Sequence, residues 1–504
     1  MLRFLIVFYF TLIVSLLKSQ GLKIDHEFGN QGISAYSLQD TYLQGYKVGQ
    51  TKSGSYLTIN YIYNNKTNKA GFSLIMITAA GDIDRTFADN GQFEYYTEHT
   101  EYPADFLILP DQSIVLAFSD NAGKIEMIIL DKDGKLINRN ILSPFPNHYL
   151  IPIRLIYKEG FIFIGGIYNS ISLNKELMFI IKLNSESKFD DAFGEKGIYL
   201  SEKITGLNAR FQDMVKWNDQ IIVFAAGNDN LSDHVFLYRL NADGSGDLDF
   251  ADGGILFIRS DNDFGTIKTD KKGNIFVVPF DYPQVIKIDP QGIPDPGFGM
   301  NGVAIDDYFI DIMNSSNFSI LQDDNSNIIF GDVLTKEGTL SPAIIRYNDQ
   351  GKRDREFGDE GIFSDNPYIT GSYINGCYDQ NNKLVIIGTY ADSASGSQRS
   401  FLTRYKLQIN DTKETTEPFG LNIFPNPVTA NQLFLRTINP DSEQIDISYE
   451  ICNIIGKVCQ KGLFERVNTR EWKIDLNSNI SNGFYYLTVR KGVFSESIKL
   501  LIER

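Results

Sequence analysis

The sequence predicts an all-β protein, a seven-bladed β-propeller followed by a small immunoglobulin-like β-sandwich. Three observations carry that prediction. A short Asp/Phe/Gly motif recurs in phase along the first four-fifths of the chain. Runs of β-branched and aromatic residues recur with it. The composition then changes abruptly after Leu407, and a shorter series of alternating strands follows.

The motif is an Asp, a Phe three residues later and a Gly four residues after that. It is complete at Asp25, Phe28 and Gly32; Asp84, Phe87 and Gly91; and Asp190, Phe193 and Gly197. It is complete again at Asp247, Phe250 and Gly254; Asp295, Phe298 and Gly302; and Asp354, Phe357 and Gly361. The steps between the Phe residues are 59, 106, 57, 48 and 59, so the long step spans two units. An eroded copy lies in that gap. Gly134 matches Gly81, Gly244, Gly292 and Gly351, six residues before the Phe position, but Ile137 and Asn140 replace the Asp and the Phe. Seven units result, the last ending in the run Phe401 to Tyr405.

The strand signals agree. A β-branched run appears seven times, from Ser55–Ile59 and Ser113–Leu116 to Ile328–Phe330 and Leu384–Ile387. A further strand precedes each motif, as in Val235–Leu240 and Ala343–Tyr347. Four short strands per unit of about fifty residues is the pattern of propeller blades. One such sheet cannot bury both faces alone, so neighbours must stack, and ring closure removes the terminal edges. An open solenoid is the alternative architecture. The segment Gly21 to Ile33 either completes the last blade or begins the first. Within the motif, the Phe suits a plug between blades and the Gly a turn of positive φ. The Asp suits an acceptor for turn N–H groups.

Bulk properties limit function. The chain has 504 residues, 42% of them hydrophobic, so more than one core is expected and disorder is excluded. A net charge of −16 disfavours nucleic acid and anionic membranes as partners. Met1-Leu2-Arg3, the apolar run Phe4 to Leu17 and Lys18-Ser19 have the layout of a secretory signal peptide over residues 1–19. No second stretch approaches membrane length, so the mature protein is expected to lack a transmembrane segment. Three cysteines are too few for a disulfide scaffold. Cys452 and Cys459 flank a turn and would face each other if it centred on Ile455-Gly456; a bridge and two unbridged thiols are both open.

The repeat resembles the delta-60 repeat, in which Leu-Asp-x-x-Phe-Gly-x-x-Gly follows a strand ending Arg-Tyr/Leu-Asn. Ile345 through Gly361 and Tyr238 through Gly254 are good copies, and the resemblance spans roughly residues 20–409. It implies a propeller-like fold and no common activity.

Residues 410–420 carry almost no apolar side chain and read as a linker. Residues 421–504 suit a small β-sandwich. This segment resembles the C-terminal sorting domain of the type IX secretion system of Bacteroidetes. The matching residues are Pro425, Asn426 and Pro427, then Gly456 and Lys457, then Ile474-Asp475-Leu476, Gly483 and Tyr485, and Lys499. The resemblance implies an interaction with that machinery, export through the periplasm to the cell surface or medium, and removal of the tail by a surface peptidase. An accessory immunoglobulin-like domain without an address is the alternative.

Catalytic motifs are sought without result. The four histidines His26, His99, His148 and His234 are scattered, and no nucleophile elbow or phosphate-binding loop occurs. No cofactor is expected. Asp243, Asp247 and Asp249 are weak metal candidates, since oxygen ligands alternate there, but the Glu that would close a calcium loop is missing and a hairpin turn accounts for the segment. The recurring Asp residues could ring the channel, or each could cap its own turn. The expectation is a secreted or cell-surface binding or adhesion module without catalytic activity, with polysaccharide or another surface component as partner. A polysaccharide hydrolase or lyase is the alternative.

Overall fold

The computed structural model describes residues 20–503 except 39, 98–104, 121–122, 146–147, 171–174, 202–207, 229–232, 259–263, 280–283, 306–318, 323–325, 335–339, 356, 358–360, 364–370, 392–397, 410–421, 437–446, 454–456, 469–470 and 492–493. The signal segment 1–19 and the linker 410–420 therefore lie outside the described residues. The chain divides into two compact units, residues 1–409 and 410–504. Among the described residues there is no helix long and apolar enough to cross a membrane.

The larger unit is a ring of seven antiparallel sheets. Six are four-stranded meanders within residues 41–97, 105–142, 149–200, 208–258, 265–305 and 319–363. The seventh combines Gly371–Tyr378, Leu384–Ala391 and Gln398–Ile409 with two strands from the start of the chain, Gln20–Ile24 and Ile33–Tyr36. Each sheet begins with its innermost strand. These strands pack one against the next around the whole circle, and Gly371–Tyr378 meets Thr41–Gln50 to complete it. That is a closed β-propeller, numbered here blade 1 (residues 41–97) to blade 7.

The question left open at Gly21 to Ile33 is resolved in favour of the last blade. Gln20 to Ile24 pair with Ile409 to Tyr405, and Ile33 to Tyr36 pair with Thr403 to Ser400. The sequence unit and the blade are therefore out of step by one strand. Each Asp/Phe/Gly motif leads into the outer strand of the blade before it, as when Val303–Ile305 pairs with Gln284–Ile288.

Buried strand positions explain why these runs form sheets. Ile114–Ser119, Ile275–Pro279 and the first part of Leu384–Ala391 are buried on both faces, since each is a second strand sandwiched between neighbouring blades. β-branched and aromatic side chains fit that flat, two-sided environment. The clusters cross blade boundaries: Phe72, Phe87, Phe106, Leu116 and Phe118 belong to one core drawn from blades 1 and 2.

The smaller unit is a sandwich of two four-stranded sheets. One has the order 422–424, 432–436, 471–475, 465–466, and the other 458–463, 447–453, 483–491, 494–502. Leu433, Leu435, Ile451, Trp472, Leu487 and Leu500 fill the space between them. The cysteine hairpin differs from the symmetric expectation. Ile451 pairs with Gln460 and Cys452 with Val458, so Cys459 is the extra residue of a bulge and does not face Cys452. All three cysteines are free thiols.

Candidate functional site

The recurring motif builds blade junctions. In each complete copy the Phe amide donates to the Asp carbonyl, and in the first five the Gly amide donates to the Phe carbonyl, as with Phe193 to Asp190 (2.9 Å) and Gly197 to Phe193 (2.8 Å). One carboxylate oxygen accepts the amide two residues on, for example Gly297 to Asp295 at 2.9 Å. The other takes a strand cation eight residues earlier. Lys182 Nζ reaches Asp190, Arg239 Nε Asp247 and Lys287 Nζ Asp295, each at 2.7 Å, and Arg346 reaches Asp354 at 2.6 Å. The same cation lies over the motif Phe, with Arg239 4.6 Å from the Phe250 ring centroid and Arg346 4.6 Å from that of Phe357. Lys182 and Lys287 hold the carboxyls of Asp190 and Asp295 below their ordinary range. Each of these carboxylates thus caps its own turn and binds a strand cation. Asp84 also caps its turn, through Thr86, but Met76 stands where the cation would be.

The six Phe side chains are buried, and the residue after each of five donates its amide across the junction. Gly29 donates to Ala80, Ala88 to Asp133, Gly194 to Asp243, Ala251 to Gln291 and Gly299 to Gln350. Each acceptor sits immediately before the second recurring glycine. At Gly134 a Cβ would lie 2.9 Å from the Phe87 ring and 2.7 Å from Ala88 Cβ, so that glycine seats the Phe of the previous unit. This explains the eroded unit. Gly134 survives because it serves Phe87, whereas Asn140 offers no plug to the next turn, where Ser187 occupies the glycine position.

The weak metal candidates do not converge. Asp243 accepts from Ser245 Oγ at 2.6 Å, Asp247 is taken by Arg239, and the Asp249 amide donates to Asp247 at 3.2 Å. Among the described residues no three His, Cys, Asp or Glu side chains group as metal ligands would. In the tail, the Asn426 carboxamide accepts the Leu501 amide at 2.9 Å, between Pro425 and Pro427, and Val428 exchanges backbone hydrogen bonds with Leu501 and Glu503. The Lys457 amide closes its turn onto Asn453 at 2.9 Å, and Tyr485 donates to the Ser481 carbonyl at 2.9 Å next to Gly483. Gly456 and the Lys499 side chain lie outside the described residues.

The innermost strands carry a second feature that lies outside the repeat motif. Five successive blades each contribute a charged group there to one chain of alternating sign: Lys47, Asp105, Arg154, Asp213 and Lys268. Lys47 Nζ donates to Asp105, whose other oxygen accepts the Leu155 amide at 2.9 Å. Arg154 lies 3.7 Å from Asp105 and 2.6 Å from Asp213. Asp213 also accepts from Thr266 Oγ1 at 2.7 Å and from the Ile267 amide at 3.1 Å. Burial pushes the Asp213 carboxyl up, but Arg154, Lys268 and Thr266 outweigh it and hold the group ionised below its usual range. Burial lowers the Lys268 ammonium, and the nearby Arg154 adds to the effect. Lys47, Arg154 and Asp213 each directly follow a bulge in their strand, which re-aims the side chain. The available signal was a charge set between large apolar residues, as Asp213 in Phe211-Gln212-Asp213-Met214-Val215.

At one end of the ring the hairpins joining first and second strands form a shallow depression of about 600 Å³. Blades 1, 2, 3 and 7 supply Gln50, Lys52, Gln112, Tyr157, Tyr378 and Gln380 among its lining residues. The turns are tied to one another: the Gln380 amide donates to Gln50 Oε1 and the Lys52 amide to Gln112 Oε1, both at 2.7 Å. Cys377 is among the lining residues, its thiol pushed up to about 12 by burial and by Asp379. The arrangement sets two tyrosines and several polar residues on a rim of turns tied to one another.

Residues 422–503 match the family model described as a secretion system C-terminal sorting domain. The tail is a type IX sorting domain, and the protein is exported by that route to the cell surface or beyond. A search of curated proteins found no match to the sequence. Among solved structures, the β-propeller domain of the Trilobed protease from Pyrococcus furiosus is 12% identical, with a TM-score of 0.38, covering 76% of this chain and 100% of that one. Pyrococcus horikoshii acylaminoacyl peptidase is 8% identical, with a TM-score of 0.41, covering 78% of this chain and 58% of that one. The GH43 endo-arabinanase from Bacillus licheniformis is 14% identical, with a TM-score of 0.27, covering 60% and 92%.

Proposed function

We propose that this propeller works outside the cell as a binding or adhesion module without catalytic activity, holding a neutral polysaccharide at the mouth formed by blades 1, 2, 3 and 7. The observation that carries the reading is the rim itself. Tyr157, Tyr378 and Gln380 line it, and the Gln50 and Gln112 carboxamides bond its turns to one another. Aromatic faces flanked by fixed polar groups suit sugar rings. A net charge of −16 repels acidic polymers and leaves neutral glycans as the favoured class. The delta-60-like repeat supports a scaffold reading, since that family shares architecture and no single chemistry.

A hydrolase would need one carboxyl that keeps a proton beside one that does not. Asp105 and Asp213 flank Arg154, yet Arg154 and its neighbours hold Asp213 ionised, which favours a structural belt over an acid–base pair.

The test is thermal unfolding of the exported chain against a panel of neutral and acidic polysaccharides. A ligand at a hundred times its Kd stabilises by about 2.7 kcal/mol. The expected result is a rise in Tm with a neutral glycan that Tyr157→Ala removes, without cleavage products. Cleavage would replace the reading with the hydrolase one, and no shift with any glycan would end it.

A further inference from the structure

We propose that the outer strand of blade 2 is a homodimerisation edge, which pairs antiparallel with the same strand of a second copy about a two-fold axis at Arg139. The strand Leu136–Leu142 reads Leu-Ile-Asn-Arg-Asn-Ile-Leu, the same in both directions. In an antiparallel pairing centred on Arg139, every residue meets its own kind or its palindromic equivalent. Ile137 faces Ile141, Asn138 faces Asn140 and Arg139 faces Arg139. A two-fold interface needs such self-complementarity, because each side presents the same patch.

The structure leaves this strand available. It is the last in its sheet, and among the described residues no strand pairs with its outer side. In the units with a complete motif, the segment before the outer strand is folded into the Asp/Phe/Gly turn. Here the motif is eroded, and the strand follows Leu130 through a plain turn closed by Asp131 and Lys135. It is also unusually apolar for an edge, with Leu136 58%, Ile137 60% and Ile141 56% exposed. Natural edges are blunted by charge or by bulges; here one bulge, at Ile137, leaves Asn138–Leu142 as regular ladder, and an uncovered apolar edge is a template for pairing. Tyr149 and Ile151, which begin blade 3, are exposed as well.

Charge does not oppose this register. Arg139 is the strand's single charge, and it arrives neutralised: Glu126 of the same chain lies 2.5 Å from its Nε, and Tyr95 accepts from it at 3.0 Å. Two such pairs meeting at the axis are electrically balanced, and a register slipped by two would replace the Ile137–Ile141 contacts with Arg139 against Ile. Seven residues of strand bury less than the roughly 1,000 Å² of a durable interface, so the dimer is a weak one that forms at high local concentration. A surface-displayed protein meets that condition.

The experiment is sedimentation equilibrium of the full exported chain, together with oxidation of Arg139→Cys. Paired Cα atoms across an antiparallel ladder stand about 4.5–5.5 Å apart, within disulfide reach. The wild type is expected to dimerise as concentration rises, and Ile137→Glu and Ile141→Glu, at exposed positions that the monomer tolerates, to weaken that at least tenfold. Peptide mapping of oxidised Arg139→Cys is expected to show a 139–139 link. A wild type that stays monomeric to several hundred micromolar overturns the proposal. So does a dimer indifferent to both Ile variants. If Arg139→Cys misfolds for want of a partner for Glu126, the Ile variants alone decide.

Discussion

Asp25 and Arg404 stand 379 residues apart in the chain and meet at 2.8 Å. Asp25 is fully buried, and Lys383 at 2.7 Å and Lys406 at 2.9 Å complete its cage. Arg404 spreads over the Phe28 ring, 4.5 Å from its centroid, and donates to Tyr56 and to the Ala79 carbonyl. One carboxylate thus holds the N-terminal strands, the last strand and blade 1 together. For Asp190, Asp247, Asp295 and Asp354 the cation is eight residues upstream; here the ring closure supplies it.

Asp25→Asn is expected to cost about 3–5 kcal/mol, because three cations lose a buried partner. Burial raises this carboxyl, but Lys383, Lys406 and Arg404 hold it well below its usual range. A depressed folded-state value means that the stabilisation is complete above the unfolded value, near pH 4, and drains away as pH falls toward the folded one. Urea midpoints of wild type and variant should therefore differ most near pH 6 and converge as pH falls below about 4.

Gly244→Ser and Ser187→Gly make a paired test of the junctions. Gly244 has φ of 80° and receives Phe193, so a side chain there adds backbone strain to collision. A loss of about 2–4 kcal/mol is expected by denaturant melts. Ser187, with φ of 60° and no Phe from the eroded unit before it, should accept Gly with a change under about 1 kcal/mol.

Asp213→Asn tests the inner belt. Arg154 keeps Asp105 alone and Lys268 loses the one carboxylate that raises it most. The expected outcome is a loss of about 2–3 kcal/mol together with faster acylation of Lys268 at mildly alkaline pH, read by mass spectrometry. Unchanged Lys268 reactivity would mean that the two groups are not coupled.

Removal of residues 422–504 should leave the propeller folded and retained inside the cell, as read by fractionation and protease accessibility. The two units have separate cores, so the truncated ring should keep a cooperative melt.

The sequence made the repeat legible because the motif performs the same job at each junction, and a job done in phase leaves a periodic trace. It disclosed Phe28, Phe193 and Gly302 for that reason. It also disclosed Pro425 to Pro427, whose spacing is local. It did not disclose the belt, since Lys47, Asp105 and Arg154 differ in type from blade to blade and come together only when neighbouring strands stack. The assignment of Gln20–Ile24 to the last blade was equally hidden. Strand pairing across nearly 400 residues depends on closure, which no local pattern encodes. The Cys452–Cys459 register turned on a single bulged residue.

The seating of Val428 and Asn426 on residues 501–503 joins two distant parts of the sorting sandwich. The strand Phe494–Ile502 pairs with Gly483–Lys491 on one side and receives the opening segment as well. A substitution that loosens this strand therefore frees the Pro425–Pro427 segment at the same time, and the two should be lost in a single step.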